Sequence, residues 1–137
     1  MKKCISSLLV CALFFMMCTS AFAQAPTTQP RWAELSSVQT CMENYSGIYN
    51  NAKVGGAVTS RDGYSKLNLT VTVMKWNGSN YAATDKSWSS SGTGATELTQ
   101  YCRLDAGNYI ARITVNVYSS TGKHIETVTY DSNDIVI

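Results

Sequence analysis

The strictest alternation of apolar and polar residues in this chain lies in residues 104–118. The apolar positions of this stretch are Tyr109, Ala111, Ile113, Val115 and Val117. Arg112, Thr114 and Asn116 occupy the positions between them. Because successive side chains of a strand point to opposite faces, this period of two predicts a strand with one buried face.

A second clear strand is predicted over residues 66–76. Its apolar positions are Leu67, Leu69, Val71 and Val73, and its polar positions are Asn68, Thr70 and Thr72. The apolar side switches at Met74 and Trp76, which predicts either a bulge or an outer aromatic surface. Asn77-Gly78 follows directly and favours a tight hairpin turn that pairs Trp76 with Tyr81.

Weaker patterns predict the remaining strands, and turn residues separate them. The predicted strands are residues 37–45, 52–60, 81–88, 95–103 and 124–130, with a short segment at 135–137. Gly55-Gly56 indicates a bulge inside the second strand, and residues 89–94 read as a Ser/Gly loop. Residues 35–49 also fit a helix, because apolar residues recur at steps of three and four, namely Trp32, Leu35, Val38, Met42, Tyr45 and Tyr49.

Taken together, these patterns predict an all-β fold. Short polar turns connect the strands, and no amphipathic helix lies between them, which favours antiparallel pairing. About seven strands fit an immunoglobulin-like sandwich of this length. We expect a flexible leader over residues 24–34, where Pro26 and Pro30 disfavour regular structure, and the sandwich domain over residues 35–137.

The first 23 residues have the order of a secretory signal peptide. Lys2 and Lys3 precede an apolar run over residues 5–17, and Ala21-Phe22-Ala23 matches an A-x-A cleavage site. The apolar run is shorter than the ~20 residues that a membrane-spanning helix needs. We therefore predict a secreted protein, extracellular or periplasmic if the host has an outer membrane. A lipoprotein anchored through Cys18 is the alternative, although Phe15-Met16-Met17 lacks the small residues that usually stand directly before such a cysteine.

Removal of this peptide changes both the charge and the cysteine count. Without Lys2 and Lys3 the eleven basic residues become nine, equal to the nine acidic residues. No basic field remains to attract nucleic acid or an anionic membrane, so neither is expected as a partner. Of the five cysteines only Cys41 and Cys102 remain, and an even pair in an exported chain predicts a disulfide between them.

The sequence offers no recognisable catalytic or metal centre, so no catalytic residue, metal or cofactor is predicted. His124 is the single histidine, and no G-x-S-x-G motif accompanies it. Zinc would need three or four ligands. Asp131, Asn133 and Asp134 fit a turn better than a calcium site, which needs six to eight oxygens.

Three scattered acidic residues and three aromatic residues are the remaining functional candidates. The acidic residues Asp85, Glu97 and Glu126 would serve a small hydrolase only if they converged in a pocket. The aromatic residues Trp76, Tyr81 and Trp88 lie on a predicted hairpin, where exposed rings could stack on sugars or anchor a protein partner. The competing interpretation places at least one tryptophan in the core.

The turn before the main strand carries a family resemblance. Asp105, Gly107 and Tyr109 resemble the tyrosine corner of immunoglobulin-like sandwiches, in which the tyrosine hydroxyl bonds to upstream backbone. With Pro30-Arg31-Trp32 and the tryptophans at 76 and 88, the chain resembles an uncharacterised family of small secreted bacterial proteins with such sandwiches. The resemblance implies the fold and no particular activity.

From these features we expect a secreted, non-catalytic β-sandwich that binds an extracellular protein or glycan. Two alternatives stay open. One is a small secreted hydrolase with dispersed carboxylates, and the other is a bacteriocin-like or inhibitory factor that acts through its loops. The solvent exposure of the two hairpin tryptophans and Tyr81 should decide whether a binding face exists.

Export gives the first testable prediction. Expression of the full coding sequence in a bacterial host should release a product that begins at Gln24, because the apolar run and A-x-A site direct cleavage after Ala23. Intact-mass spectrometry and N-terminal sequencing measure this directly. A lipid-modified product that begins at Cys18 would instead support the lipoprotein alternative.

Overall fold

The computed structural model describes residues 32–137, and these residues form an all-β fold. Residues 1–31, with the predicted signal peptide and most of the leader, lie outside the described part. The described part of the chain has eight strands: β1 (Leu35–Asn44), β2 (Ala52–Ser60), β3 (Lys66–Trp76), β4 (Tyr81–Thr93), β5 (Ala95–Cys102), β6 (Asn108–Tyr118), β7 (His124–Asp131) and β8 (Ile135–Val136). The predicted all-β class is confirmed. No helix long and apolar enough to cross a membrane occurs in residues 32–137.

The strands form two antiparallel sheets. The smaller sheet has the order β1-β2-β5, and the larger has the order β4-β3-β6-β7 with the short β8 also paired to β6. Every strand pair is antiparallel, as the short connections predict. One buried cluster contains residues from both sheets, so residues 32–137 form a two-layer sandwich.

The centre of the core comes from the two strands with the clearest alternation. Strands β3 and β6 are neighbours, and their register places Leu69 beside Val115 and Val71 beside Ile113. These four side chains are fully buried. Burial of each such side chain stabilises the fold by about 1.5–3 kcal/mol. Val54 and Val58 of β2 contribute to the same cluster from the smaller sheet.

The predicted bulge at Gly55-Gly56 is wrong. Strand β2 keeps a continuous register with β1 and β5 through both glycines. Close packing between the sheets explains Gly56 instead, because a Cβ atom there would lie 2.9 Å from Cγ2 of Ile113. The glycine lets the larger sheet approach the backbone of the smaller one.

The predicted loop over residues 89–94 is also wrong, because β4 continues to Thr93. Side-chain hydrogen bonds accompany this polar half of the strand. The hydroxyl groups of Thr70 and Ser89 lie 2.9 Å apart, and Ser91 donates to the Asn68 side chain at 2.8 Å. The turn consists of Gly94 alone, whose positive φ of 77° lets the chain pass directly from the larger sheet into β5 of the smaller sheet.

The ambiguous first segment is a strand. Strand β1 pairs with β2 from Leu35 to Asn44, so the favoured prediction over residues 37–45 is confirmed and the helical alternative is wrong. The three- and four-residue spacing does not describe one buried face, since Tyr45 and Tyr49 are exposed. Pairing with the adjacent β2 hairpin arm overrides this local periodicity.

The tyrosine turn before β6 ties the end of the larger sheet to its preceding loop. Tyr109 is 2% exposed, and its hydroxyl donates a 3.0 Å hydrogen bond to the carbonyl oxygen of Asp105. This is the contact that the turn sequence predicts. It satisfies a polar atom that would otherwise be costly to bury.

The predicted Cys41–Cys102 disulfide is absent, and both cysteines are free. Strand β2 separates them: Cys41 pairs with Gly55, whereas Cys102 pairs with Ala52. Strand spacing alone puts their backbones roughly 10 Å apart, and the three-residue offset adds to this, whereas a disulfide needs Cα atoms about 4.4–6.8 Å apart. Cys102 is buried in the core cluster, and Cys41 is half-buried on the opposite face of the smaller sheet. An even cysteine count carries no information about strand order.

Removal of the buried tyrosine hydroxyl gives a stability prediction. Tyr109→Phe should lower the free energy of unfolding by about 1 kcal/mol, because the hydrogen bond to Asp105 is lost while the ring stays in place. Tyr118→Phe, at a half-buried tyrosine on the same strand, is the matched control. Urea denaturation of both variants measures the difference. Equal midpoints would show that the tyrosine turn does not contribute through its hydroxyl.

The free cysteines give a third prediction. Burial is the main factor that raises the pKa of both thiols, and the nearby Glu43 carboxylate raises that of Cys41 further. Both thiols should therefore react slowly with a disulfide reagent at pH 8, Cys41 before the more deeply buried Cys102, and both should react fully in denaturant. A reductant should leave the melting temperature unchanged. A melting temperature that falls on reduction would restore the disulfide prediction.

Candidate binding site

An aromatic pair lies at the tip of the β3–β4 hairpin, with Trp76 exposed and Tyr81 half-buried. Trp76 and Tyr81 are cross-strand partners, and their rings meet at 61° with centroids 5.2 Å apart. Trp76 is 42% exposed, so part of the indole is open to solvent. The Asn77 side chain accepts hydrogen bonds from the backbone N–H groups of Ser79 and Asn80 at 2.9 and 3.0 Å, which fixes the turn that joins the two rings.

A small apolar base lies behind this aromatic pair on the outer face of the larger sheet. Met74 and Ile110 are register partners there, and both are buried although they do not belong to the central core cluster. Neighbouring side chains therefore cover them from the solvent side. Sequence reasoning missed Ile110. The sequence contained one indication of it: Ile110 is apolar, although it lies at a position that the alternation of β6 directs away from the core.

The third predicted ring does not join this surface. Trp88 pairs with Val71 and packs, half-buried, against the core cluster. A register shift between Thr72 and Met74 separates it from the hairpin tip. The predicted set is thus divided. Trp76 and Tyr81 lie together on the outer face, whereas Trp88 lies on the inner face and packs against the core, as the competing interpretation expected.

The remainder of the outer face is polar and internally hydrogen-bonded. Thr72 and Ser87 hydroxyl groups lie 2.9 Å apart, and Thr127 donates to the Asn116 side chain at 2.7 Å. Arg112 Nε and an Nη atom donate to the two carboxylate oxygens of Asp131 at 2.7 and 2.8 Å. This bidentate pair raises the pKa of Arg112 and holds both side chains in one geometry.

The acidic residues proposed for a hydrolase are not brought together. Asp85 lies on β4, and Glu97 lies on β5 of the other sheet, directed away from the core. Glu126 lies on β7, where its carboxylate accepts a 3.0 Å hydrogen bond from the backbone N–H of Glu34. The arrangement therefore supplies no paired carboxylates for acid–base chemistry at these three residues.

The other polar candidates have local structural contacts. His124 Nε2 lies 2.9 Å from the Thr127 hydroxyl, and its ring meets Tyr118 edge-on. Asp131 is engaged by Arg112, and Ser132 donates to the carbonyl oxygen of Asn133 in the following turn. Within residues 32–137, no group of three or more histidine, cysteine or acidic residues is arranged to hold a metal ion.

A second exposed apolar surface lies in the β1–β2 loop. Ile48 and Tyr49 are 87% and 81% exposed at its tip. Tyr45 at its base packs against Tyr101 of β5, with ring centroids 4.7 Å apart. Sequence reasoning assigned this segment to a turn and did not identify it as a surface, because its aromatic residues fitted the alternative helical stripe.

Comparison with known proteins supplies no relative from which a function could be transferred. No protein-family model, no curated protein and no solved structure matches the chain. The geometry and chemistry of the aromatic pair, its apolar base and the polar outer face therefore carry the functional inference.

Proposed function

We propose that this protein is a secreted, non-catalytic, immunoglobulin-like β-sandwich that binds an extracellular glycan on the outer face of its larger sheet. The aromatic pair of the exposed Trp76 and the half-buried Tyr81 carries the proposal. A sugar ring has an apolar face of C–H groups and a rim of hydroxyl groups. The indole of Trp76 stacks on the former, and the polar side chains beside it bond to the latter.

The polar part of the face suits a hydroxyl-rich ligand. Serine and threonine hydroxyls both donate and accept hydrogen bonds, so they can meet either role of a sugar hydroxyl. The pairs Thr70–Ser89 and Thr72–Ser87 and the Arg112–Asp131 ion pair cover this surface. An antiparallel sheet can keep such a face in water while its other face forms the core.

Preorganisation supports binding at this face. Met74 and Ile110 lie beside the aromatic pair, and hydrogen bonds already hold the polar pairs together. Fixing a free side chain on association costs about 0.5–1.5 kcal/mol, so side chains ordered in advance leave more of the interaction energy as affinity.

The strand order supports the immunoglobulin-like part of the proposal. In that fold the first, second and fifth strands share one sheet, and the third, sixth and seventh share the other. Here β1-β2-β5 and β3-β6-β7 follow this division, while β4 pairs with β3. The bond from Tyr109 to Asp105 matches the tyrosine corner of such sandwiches.

A protein-binding loop is the second candidate function. Ile48 and Tyr49 project from the β1–β2 loop, and large exposed apolar side chains are typical anchors of protein interfaces. This surface lies on a different hairpin from the Trp76–Tyr81 pair, so substitutions separate the two candidates.

The glycan proposal predicts a specific loss of binding. Trp76→Ala should weaken binding to the best glycan of an array by at least tenfold, about 1.4 kcal/mol, because the stacking surface is removed. Glycan-array screening of wild-type protein expressed from the full coding sequence, followed by calorimetric titration of the variant, measures this loss.

Ile48→Ser is the matched control for this experiment. It removes an exposed apolar side chain from the other candidate surface and should leave glycan affinity and melting temperature unchanged. An array without any bound glycan, or equal losses in both variants, would overturn the proposal. Binding of a purified protein partner that only Ile48→Ser abolishes would favour the second candidate function.

A further inference from the structure

The inner side of the same hairpin contains a charged cleft. Its volume is about 310 Å³, and its lining includes Lys75, Lys86, Arg103, Asp85 and Asp105. The buried residues Leu104 and Tyr109 also contribute to the lining. This size is at the lower end of the range for small-molecule sites, about 300–1,000 Å³, and fits a single sugar residue.

A bulge with two additional residues in β4 shapes this cleft. Thr72 pairs with Ser87 and Met74 pairs with Ala83, so two steps along β3 correspond to four steps along β4. The extra residues include Thr84, whose hydroxyl donates to the Val73 carbonyl oxygen at 2.8 Å. Bulges of this kind re-aim side chains and are over-represented next to functional sites. Here the bulge brings Asp85 and Lys86 to the cleft.

Lys75 is held in place within the cleft. Its ammonium nitrogen lies 5.4 Å from the centroid of the Tyr109 ring, in a cation–π contact. A Cβ atom at Gly107 would approach Cε of Lys75 to 2.8 Å, so the glycine leaves the room that this side chain occupies. Tyr109 is itself fixed by its bond to Asp105. The lysine is therefore positioned by the β5–β6 loop rather than free in solvent.

The charges of the cleft indicate the chemical class of its ligand. Three cationic side chains face two carboxylates, and Lys86 pairs with Asp85 at 3.4 Å. Within residues 32–137, neither Lys75 nor Arg103 forms an ion pair. One excess positive charge favours a singly charged anion over a multiply charged one. The carboxylates of Asp85 and Asp105 can accept hydrogen bonds from hydroxyl groups on the same ligand.

We propose that this cleft is a subsite for the carboxylate of a sugar acid, held by Lys75, Lys86 and Arg103, so that the glycan bound by this protein is acidic. The inference rests on the proposed glycan-binding function. Charge-assisted hydrogen bonds from lysine and arginine bind the carboxylate, and the acidic residues and Thr84 bind the ring hydroxyls. Trp76 follows Lys75 in the chain, so one hairpin directs an aromatic residue outward and a cation inward.

Galacturonate and galactose provide a matched pair of probes, because they differ only in a carboxylate against a hydroxymethyl group. Calorimetric titration of protein expressed from the full coding sequence should show that a galactose oligomer with one terminal galacturonate binds at least tenfold more tightly than the all-galactose oligomer of equal length and linkage. Higher salt should reduce this preference, since the excess affinity is electrostatic. Equal affinities for the two probes would overturn the inference.

Charge-neutralising variants show which side chains produce the preference for the acidic probe. Lys75→Gln and Arg103→Gln should each reduce the preference for galacturonate by about tenfold and leave galactose binding unchanged. Lys123→Gln, which removes one exposed positive charge in the β6–β7 turn, is the control and should change neither. Equal effects of all three variants would show general attraction by charge and overturn the subsite. Melting temperatures of the variants check that each one is folded.

The two proposals fail in different ways. Trp76→Ala should weaken both probes by the same factor and leave their ratio unchanged, because it acts on the outer face. If glycans bind through Trp76 without any preference for the acidic probe, only the subsite is wrong. If monomeric galacturonate binds in a Lys75-dependent manner while Trp76→Ala has no effect, the subsite stands and the outer-face function is wrong.

Discussion

The antiparallel ladder between β3 and β6 is the constraint on which the rest of the structure depends. It runs without interruption from Lys66 beside Tyr118 to Lys75 beside Tyr109. Both strands direct their odd-numbered residues into the core, so one register sets the apolar inner face and the polar outer face together. A slip of one residue would exchange the two faces, with every buried valine and leucine turned to water. The bond from Tyr109 to Asp105 fixes the end of this ladder.

The sequence predicts the two strands of this ladder because, in both, the apolar residues of the alternating pattern are the ones that are buried. The second half of β4 could not be predicted in the same way. Residues 87–93 of β4 contain one large apolar side chain, Trp88, and the rest of that segment is serine, glycine and threonine. Their strand conformation depends on pairing with β3, which a local pattern does not contain. The disulfide prediction failed for a related reason, since strand order decides which cysteines can meet.

The candidate site was predictable in part. The Asn77-Gly78 turn and the Trp76–Tyr81 pair follow from hairpin rules that act over a few residues. Trp88 lies seven residues after Tyr81, so strand alternation puts the two rings on opposite faces of the sheet, and the two additional residues of the bulge leave this alternation unchanged. The cleft combines Lys75 of β3 with Arg103 after β5, and no short-range pattern brings those residues together.

The charged residues of the cleft could have a purely structural role, namely protection of a sheet edge. The strand order shows that this role fits only one of the lysines. An inward-pointing lysine on an edge strand prevents pairing with another chain. That role suits Lys86, because β4 is the edge of the larger sheet. It does not suit Lys75, because β3 is an interior strand with a partner on each side. Nor does it explain why Gly107 and the Tyr109 ring accommodate that ammonium group. Recognition of an anion accounts for all three cations at once.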